Sequence, residues 1–261
     1  MDGGVMHRYA WVWLGLMLTT GLGSGYGQAS ELADTVSAVK PSIVGIGTYS
    51  PSRRPPSRLL GTGFVVGDGR HIATNAHVVD IELDDLKQEQ LVVFVGIGNT
   101  PRVIPAKVVA SESRHDLALL KVSDRLPVMR LSNRKTVREG ESYAFTGFPL
   151  GAILGLYPVT HRGMISSITP MGIPAQSSGQ LSAHKIRQLR QPLMVYQLDA
   201  TAYPGNSGSP LYDPDDGTVV GILNGVYVKS TKEDVLSDPS GISYAIPVRY
   251  LRELLSSLTG G

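Results

Sequence analysis

Short apolar runs, most of them rich in valine and isoleucine and bounded by glycine, proline or acidic turns, recur from Ile43 to Ala245. Runs of this length with such punctuation predict strands rather than helices. Six come first: Ile43 to Tyr49, Gly61 to Val66, His71 to Thr74, Leu91 to Val95, Val103 to Ala110 and Leu117 to Val122. Six more follow: Ser142 to Gly147, Pro158 to Ile168, Leu193 to Leu198, Ser209 to Tyr212, Val219 to Val228 and Gly241 to Ala245. The grouping predicts an all-β fold of two barrels, the first over residues 41–130 and the second over 140–247. Tyr49 to Leu60, with Pro51, Pro55, Pro56 and three arginines, is expected to be a mobile loop within the first barrel. Thr169 to Gln191 is polar and is expected to be a long surface loop. Asp213-Pro214-Asp215-Asp216-Gly217 reads as a hairpin tip, and it lacks the regular ligand spacing of a calcium loop.

The period changes at both ends of the chain. Leu32, Val36 and Val39 share one side of a helix over Glu31 to Lys40, which Pro41 stops. After Pro247, residues 248–258 form an amphipathic C-terminal helix. The N-terminus, residues 1–29, has the layout of an export signal: His7 and Arg8, an apolar run from Ala10 to Leu18, then small residues as far as Ala29. Cleavage after Ala29 would leave residues 30–261 as the mature domain. Met6 is an alternative start with a cleaner positive region, and an uncleaved anchor is the alternative fate. The apolar run is short for a bilayer span, so no stable membrane span is expected once the signal is removed.

Composition narrows the classes. With 261 residues, 42% apolar and 18% charged, the chain can bury a substantial core and is not disordered. Thirty glycines and seventeen prolines favour β structure with frequent turns over a helical bundle. The net charge of +2 gives no reason to expect a polyanionic partner. The small cluster Lys185, Arg187 and Arg190 lacks interleaved aromatics, so no nucleic-acid partner is expected. Cysteine is absent, which excludes disulfides, thiolate metal sites and a cysteine nucleophile. The six histidines show no metal-ligand spacing, and neither a metal nor another cofactor is expected.

The candidate chemistry centres on Gly205-Asn206-Ser207-Gly208-Ser209-Pro210. A serine flanked by glycines on a tight turn can present its hydroxyl while nearby backbone N–H groups face an incoming carbonyl oxygen. That hydroxyl needs a base, and the base needs a group to fix its tautomer. His77, in Ala73-Thr74-Asn75-Ala76-His77-Val78-Val79, and Asp116, in His115-Asp116-Leu117-Ala118-Leu119, are the upstream candidates. Singly, each has a bland reading: a structural histidine, a turn aspartate, a glycine-rich turn. Together, the order His, Asp, Ser is that of chymotrypsin-like proteases and not of subtilisin-like or α/β-hydrolase enzymes. The hydrolase elbow G-x-S-x-G also fails, because Ser209 stands where its second glycine would be.

The segments Lys40-Pro41-Ser42-Ile43-Val44, Gly61-Thr62-Gly63-Phe64-Val65, Thr74 to Val79, His115 to Val122, Gly147-Phe148-Pro149-Leu150-Gly151, Gly205 to Leu211 and Gly241 to Pro247 together resemble trypsin-fold serine proteases of the HtrA (Deg) type. The likeness covers most of Val39 to Leu255. It implies two six-stranded barrels with the active site between them and peptide-bond hydrolysis through an acyl-enzyme. His77 would be base and then acid, Asp116 its orienter and Ser207 the nucleophile. The N–H groups of Gly205 and Ser207, flanking Asn206, would form the oxyanion hole. Thr201 would lie near the floor of the primary pocket and Ile222, Leu223 and Asn224 on its wall, favouring a small or medium aliphatic side chain. The resemblance also implies polypeptide substrates, unfolded proteins among them, a homotrimer as in many relatives, and a periplasmic or extracellular location.

Two departures from the family pattern matter, at Ser209 and at the C-terminus, and Asn206 sets the chain apart from zymogen-type relatives. Ser209 replaces a usual glycine, with no evident steric veto. Zymogen-type relatives carry an aspartate before the nucleophile to pair with a newly cut N-terminus; Asn206 has no such charge, so that mode of activation is not expected. The sequence ends at Gly261, soon after Ala245-Ile246-Pro247, so the PDZ domain common in the family is expected to be missing. Two rival readings accompany the protease: a catalytically silent trypsin fold that binds polypeptides as a chaperone, and a secreted esterase using the same three residues.

Overall fold

The computed structural model describes Met1 and residues 27–98, 100–134, 136–149, 155–171, 192–224 and 243–259. The first six strands are β1 (Ile43–Tyr49), β2 (Ser57–Val66), β3 (His71–Thr74), β4 (Gln90–Val95), β5 (Arg102–Glu112) and β6 (Leu117–Val122). They close into an antiparallel barrel in the order β1-β2-β3-β6-β5-β4. A second barrel follows from β7 (Ser142–Gly147), β8 (Val159–Pro170), β9 (Met194–Leu198), β10 (Pro210–Tyr212), β11 (Val219–Asn224) and β12 (Ser243–Pro247). Its order is β10-β11-β12-β9-β8-β7. Among the described residues the α-helices are α1 (Gly27–Val39), the single turn α2 (Ala76–Val79) and α3 (Val248–Thr259).

The apolar runs are nearly continuous because many strands are buried on both faces. Along β6, Leu120 and Val122 point into the first barrel, whereas Leu117 and Leu119 point out of it against the second. In β2, Val65 is interior while Phe64 and Val66 face the junction. The second barrel does the same: Leu211 and Leu223 fill its interior, and Tyr212 and Ile222 join the shared layer. This inter-barrel layer also receives Val39 from the end of α1 and Val248 and Leu251 from α3. Truncating a member such as Phe64, which has no exposed surface, costs about 3–5 kcal/mol. The two barrels therefore hold one another in a fixed relation, and the site forms along their seam.

Several expected boundaries shift. The segment 49–60 is less loop than expected: β2 begins at Ser57, which pairs with Tyr49. Its tip is tied down by Arg53, which contacts Glu89 at 2.5 Å and donates to the carbonyls of Thr48 and Pro56. The reason is that Arg53, on the β1–β2 connection, and Glu89, just before β4, compensate each other, so the arginine works as an anchor. α1 begins before Glu31 and runs through the expected cleavage position after Ala29. The 213–217 hairpin tip forms as expected: Gly217 N donates to Asp213 O at 2.9 Å, and the Asp213 and Asp216 carboxylates accept from Asp215 N and Thr218 N. Those carboxylates satisfy their own backbone. Most of the export-signal segment, most of the 169–191 loop, residues 225–228 and residues 241–242 lie outside the described residues. Among the described residues no helix is long and apolar enough to cross a membrane.

Candidate active site

Strand β3 delivers Thr74 and Asn75, both without exposed surface, and then turns into α2 with His77 on its outer side. Asp116 lies at the start of β6 with φ +49°, a left-handed conformation that aspartate tolerates better than most residues. Its carbonyl accepts from Ala76 N and Asn75 Nδ2, both at 3.1 Å, which locks the β3–α2 corner to the β5–β6 turn. The carboxylate then grips His77 twice. Oδ1 accepts from His77 N at 2.9 Å, and Oδ2 lies 2.6 Å from His77 Nδ1. An ionised carboxylate only accepts, so the proton resides on Nδ1 and Nε2 carries the lone pair of the neutral ring.

Ser207 comes from the second barrel, on the connection between β9 and β10. Asn206 N donates to Tyr203 O at 3.0 Å, closing a turn with Pro204 and Gly205 at its centre. Gly205 has φ +100°, so this is a type II turn, for which the order Pro-Gly is suited. Thr62 of β2 fixes the loop from the opposite barrel. Its Oγ1 donates to Gly205 O at 2.7 Å and accepts from Phe148 N at 3.0 Å, while its backbone N donates to Ser207 O at 2.9 Å. Gly208 then passes so close that an added Cβ would lie 2.0 Å from Thr62 O. With the carbonyls of residues 205 and 207 turned toward Thr62, the N–H groups of Gly205 and Ser207 have no acceptor among the described residues. Ser207 is 6% exposed, and among the described residues no hydrogen bond joins its hydroxyl to His77. Such bonds are commonly long before substrate arrives.

Asn206 is fully buried with neither amide atom bonded, facing Gly147 and the equally unbonded Ser209 hydroxyl. Thr201, on the same β9–β10 connection, is half-buried. The side chains of the three residues of the expected wall segment have partners of their own. The Ile222 side chain lies in the inter-barrel layer and the Leu223 side chain in the second barrel, because β11 is buried on both faces. Leu223 contributes only its backbone, accepting from Gly208 N at 2.9 Å and donating to Ser209 O at 2.8 Å. Asn224 reaches across the seam instead, and its Nδ2 donates to Asp116 Oδ2 at 3.0 Å. That adds a third donor to the carboxylate that holds His77.

Sequence reasoning passed over two further residues. Thr62 was visible as a polar side chain within an inward-facing strand, a position that demands a buried partner. His161 of β8 stands directly opposite Phe145, stacking on it at 5.0 Å, with Tyr203 at 6.4 Å on its other side. Its Nε2 is buried without a partner, and burial pushes its pKa below the usual histidine value.

With this geometry in view, the similarities to known proteins are informative. The trypsin-like peptidase domain model matches residues 61–222. A probable periplasmic serine endoprotease DegP-like protein of Marinomonas sp. is 28% identical over 81% of this chain and 38% of its own length. The mitochondrial serine protease HTRA2 of Drosophila willistoni is 30% identical over 86% of this chain and 45% of its own length. The chain thus spans less than half the length of these curated relatives. A crystal structure of the serine endoprotease from Yersinia pestis superposes with a TM-score of 0.59 at 25% identity, covering 87% of this chain and 66% of that one. An active-form protease from M. tuberculosis shares the fold, with a TM-score of 0.61 at 22% identity over 85% of this chain and 82% of that one. From the span of the family match and the HtrA-type relatives across most of its length, the chain belongs to the trypsin-like peptidases of the HtrA type.

Proposed function

We propose that this chain is an exported serine endopeptidase that hydrolyses polypeptides through Ser207, His77 and Asp116. The observation that carries the reading is the double grip of the Asp116 carboxylate on His77, at 2.9 Å and 2.6 Å, on the seam where the Ser207 loop is stapled by Thr62. With Nδ1 held as donor, His77 Nε2 is the free base that takes the Ser207 proton as Oγ attacks the scissile carbonyl carbon. The imidazolium so formed is stabilised by Asp116. Negative charge developing on the carbonyl oxygen is met by the N–H groups of Gly205 and Ser207. The tetrahedral intermediate collapses, His77 returns the proton to the leaving amine, and an acyl-Ser207 ester remains. Water, deprotonated by His77, then releases the second product.

The polypeptide substrate follows from relatives named endoproteases, and export from the N-terminal signal pattern together with relatives named periplasmic. Unfolded chains are the substrate class we favour, since a cleft between two rigid barrels admits an extended segment more readily than a folded domain. The test is labelling of the purified protein with a fluorophosphonate probe beside Ser207→Ala, with casein and a p-nitrophenyl ester assayed in parallel. Labelling that disappears in the variant, with casein cleavage, is expected. Labelling that persists in Ser207→Ala overturns the nucleophile assignment, and ester turnover without casein cleavage makes the protein an esterase.

A further inference from the structure

A second concavity shares none of its walls with the His77–Ser207 site. It has a volume of about 230 Å³ and lies between the connection that joins the two barrels and the first turn of α3. Arg134, Arg249 and Arg252 line it, over a base that includes Val137, Tyr196 and Val220. The charges around it are poorly balanced. Among the described residues Arg252 donates only to the Ser132 carbonyl, at 3.4 Å, and Arg249 donates to Tyr250 Oη at 2.9 Å while lying 4.6 Å over that ring. Neither forms an ion pair among the described residues. Arg134 has one distant carboxylate, Asp213 at 3.8 Å, which already accepts from Asp215 N. By contrast, Arg130 and Arg138, outside the cavity, each bond a carboxylate, Asp216 and Glu141.

Among the described residues, two of the three guanidinium groups around this small space therefore lack an anion, and the third has only a distant one. Two further features favour an anion there. The cavity meets the first turn of the 12-residue helix α3, where unpaired N–H groups and the positive end of the helix dipole attract negative charge. Tyr196 is 7% exposed, and its hydroxyl makes no hydrogen bond among the described residues, leaving a donor for an oxyanion. The volume is below the roughly 300–1,000 Å³ of sites for drug-sized molecules, so it suits a head group rather than a large ligand. Separate planar guanidinium forks match a tetrahedral dianion with several acceptor oxygens better than a single carboxylate.

We propose that this cavity binds a phosphomonoester, with its phosphate on Arg134, Arg249 and Arg252 and a short apolar substituent against Val137, Tyr196 and Val220. The same chemistry is offered by a free small phosphomonoester and by the head group of a phosphatidic-acid-type lipid. The full chain carrying Ser207→Ala, titrated calorimetrically with phenyl phosphate, is expected to bind one equivalent, more tightly than it binds inorganic phosphate. Arg249→Gln with Arg252→Gln should weaken binding by about tenfold or more, as expected for lost charge-assisted hydrogen bonds. Arg130→Gln with Arg138→Gln should leave it unchanged. Absence of saturable binding overturns the site, and so does equal weakening by both pairs, which would mean diffuse surface charge. Amide chemical-shift changes in the chain with intact arginines provide a test independent of variant folding: they should cluster at residues 132–137 and 248–252, and changes elsewhere alone refute the assignment. Sedimentation with phosphatidylcholine vesicles, with and without phosphatidic acid, separates the sources. Arginine-dependent sedimentation assigns a lipid, and binding of phenyl phosphate without sedimentation assigns a soluble molecule.

Discussion

Thr62→Val tests how the Ser207 loop is held. Valine keeps the shape of threonine but removes a donor to Gly205 O and an acceptor for Phe148 N, at 2.7 Å and 3.0 Å. Thr62 has no exposed surface and Phe148 only 1%, so water does not readily replace the lost hydroxyl. A buried polar group left unsatisfied costs about 1–3 kcal/mol, so two of them cost about 2–6 kcal/mol. That is a large part of a typical stability of about 5–15 kcal/mol, yet leaves the protein folded. The catalytic effect should exceed the effect on substrate binding. The Gly205–Asn206 peptide that Thr62 holds lies between the two N–H groups of the proposed oxyanion hole, and losing one such donor costs about 10²–10³ in kcat. The assays are a urea midpoint, expected to fall with unchanged slope, and steady-state cleavage of a peptide, expected to show kcat down about a hundredfold with little change in KM. Thr62→Ser, which restores the hydroxyl, should recover most of the activity. A Thr62→Val protein with unaltered midpoint and unaltered kcat would refute the reasoning, and a destabilised protein with full kcat would confine Thr62 to the fold.

Three other perturbations probe neighbouring parts of the structure. Asn224→Ala removes the 3.0 Å bond to Asp116 Oδ2 and should lower kcat by about tenfold or more, measured on the same peptide, because a hydrogen bond to a charged group contributes about 1.5–3 kcal/mol. His161 has a pKa depressed by burial, so the unfolded chain binds a proton that the folded ring resists; stability is full above the ordinary value of 6.5 and declines as pH falls below it. His161→Phe should flatten that decline in urea midpoints taken from neutral to mildly acidic pH, and an unaltered profile would show that the ring does not titrate as described. Glu141 is held near 2 by the Tyr143 hydroxyl first and by Arg138 second, so its stabilising contribution is present above the ordinary 4.5 and is lost as pH falls through about 2. Tyr143→Phe should raise that carboxyl toward 4.5 in a carbon-detected NMR titration and bring the acid loss to higher pH.

What could be read from the chain, and what could not, divides along physical lines. Strands such as β1, β3, β6 and β7 were legible to the residue because apolar runs bounded by turn residues require only local information. The flanks of His77, Asp116 and Ser207 were equally local: a corner after a strand, a turn before a strand, and a glycine-rich loop. The side-chain directions of Ile222, Leu223 and Asn224, the segment expected on the pocket wall, were not legible for the opposite reason. Which face of β11 looks at which barrel depends on closure of both sheets, and closure sends the three side chains into one core, the other core and the Asp116 carboxylate.

The same reasoning explains why Thr62 carries so much of the site. The proposed mechanism takes His77 and Asp116 from one barrel and Ser207 from the other, so on that reading placement of the nucleophile is a relation between two cores. Apolar packing fixes that relation only coarsely, because it is non-directional. Direction must come from hydrogen bonds that cross the seam. The structure shows them as Thr62 to residues 205, 207 and 148, and Asn224 to Asp116. Each leaves an unsatisfied buried group if the barrels shift, so small rigid-body slips that the apolar layer would tolerate become costly. Polar residues buried along the seam are therefore where substitutions should separate catalysis from folding, and substitutions within either barrel interior should affect folding first.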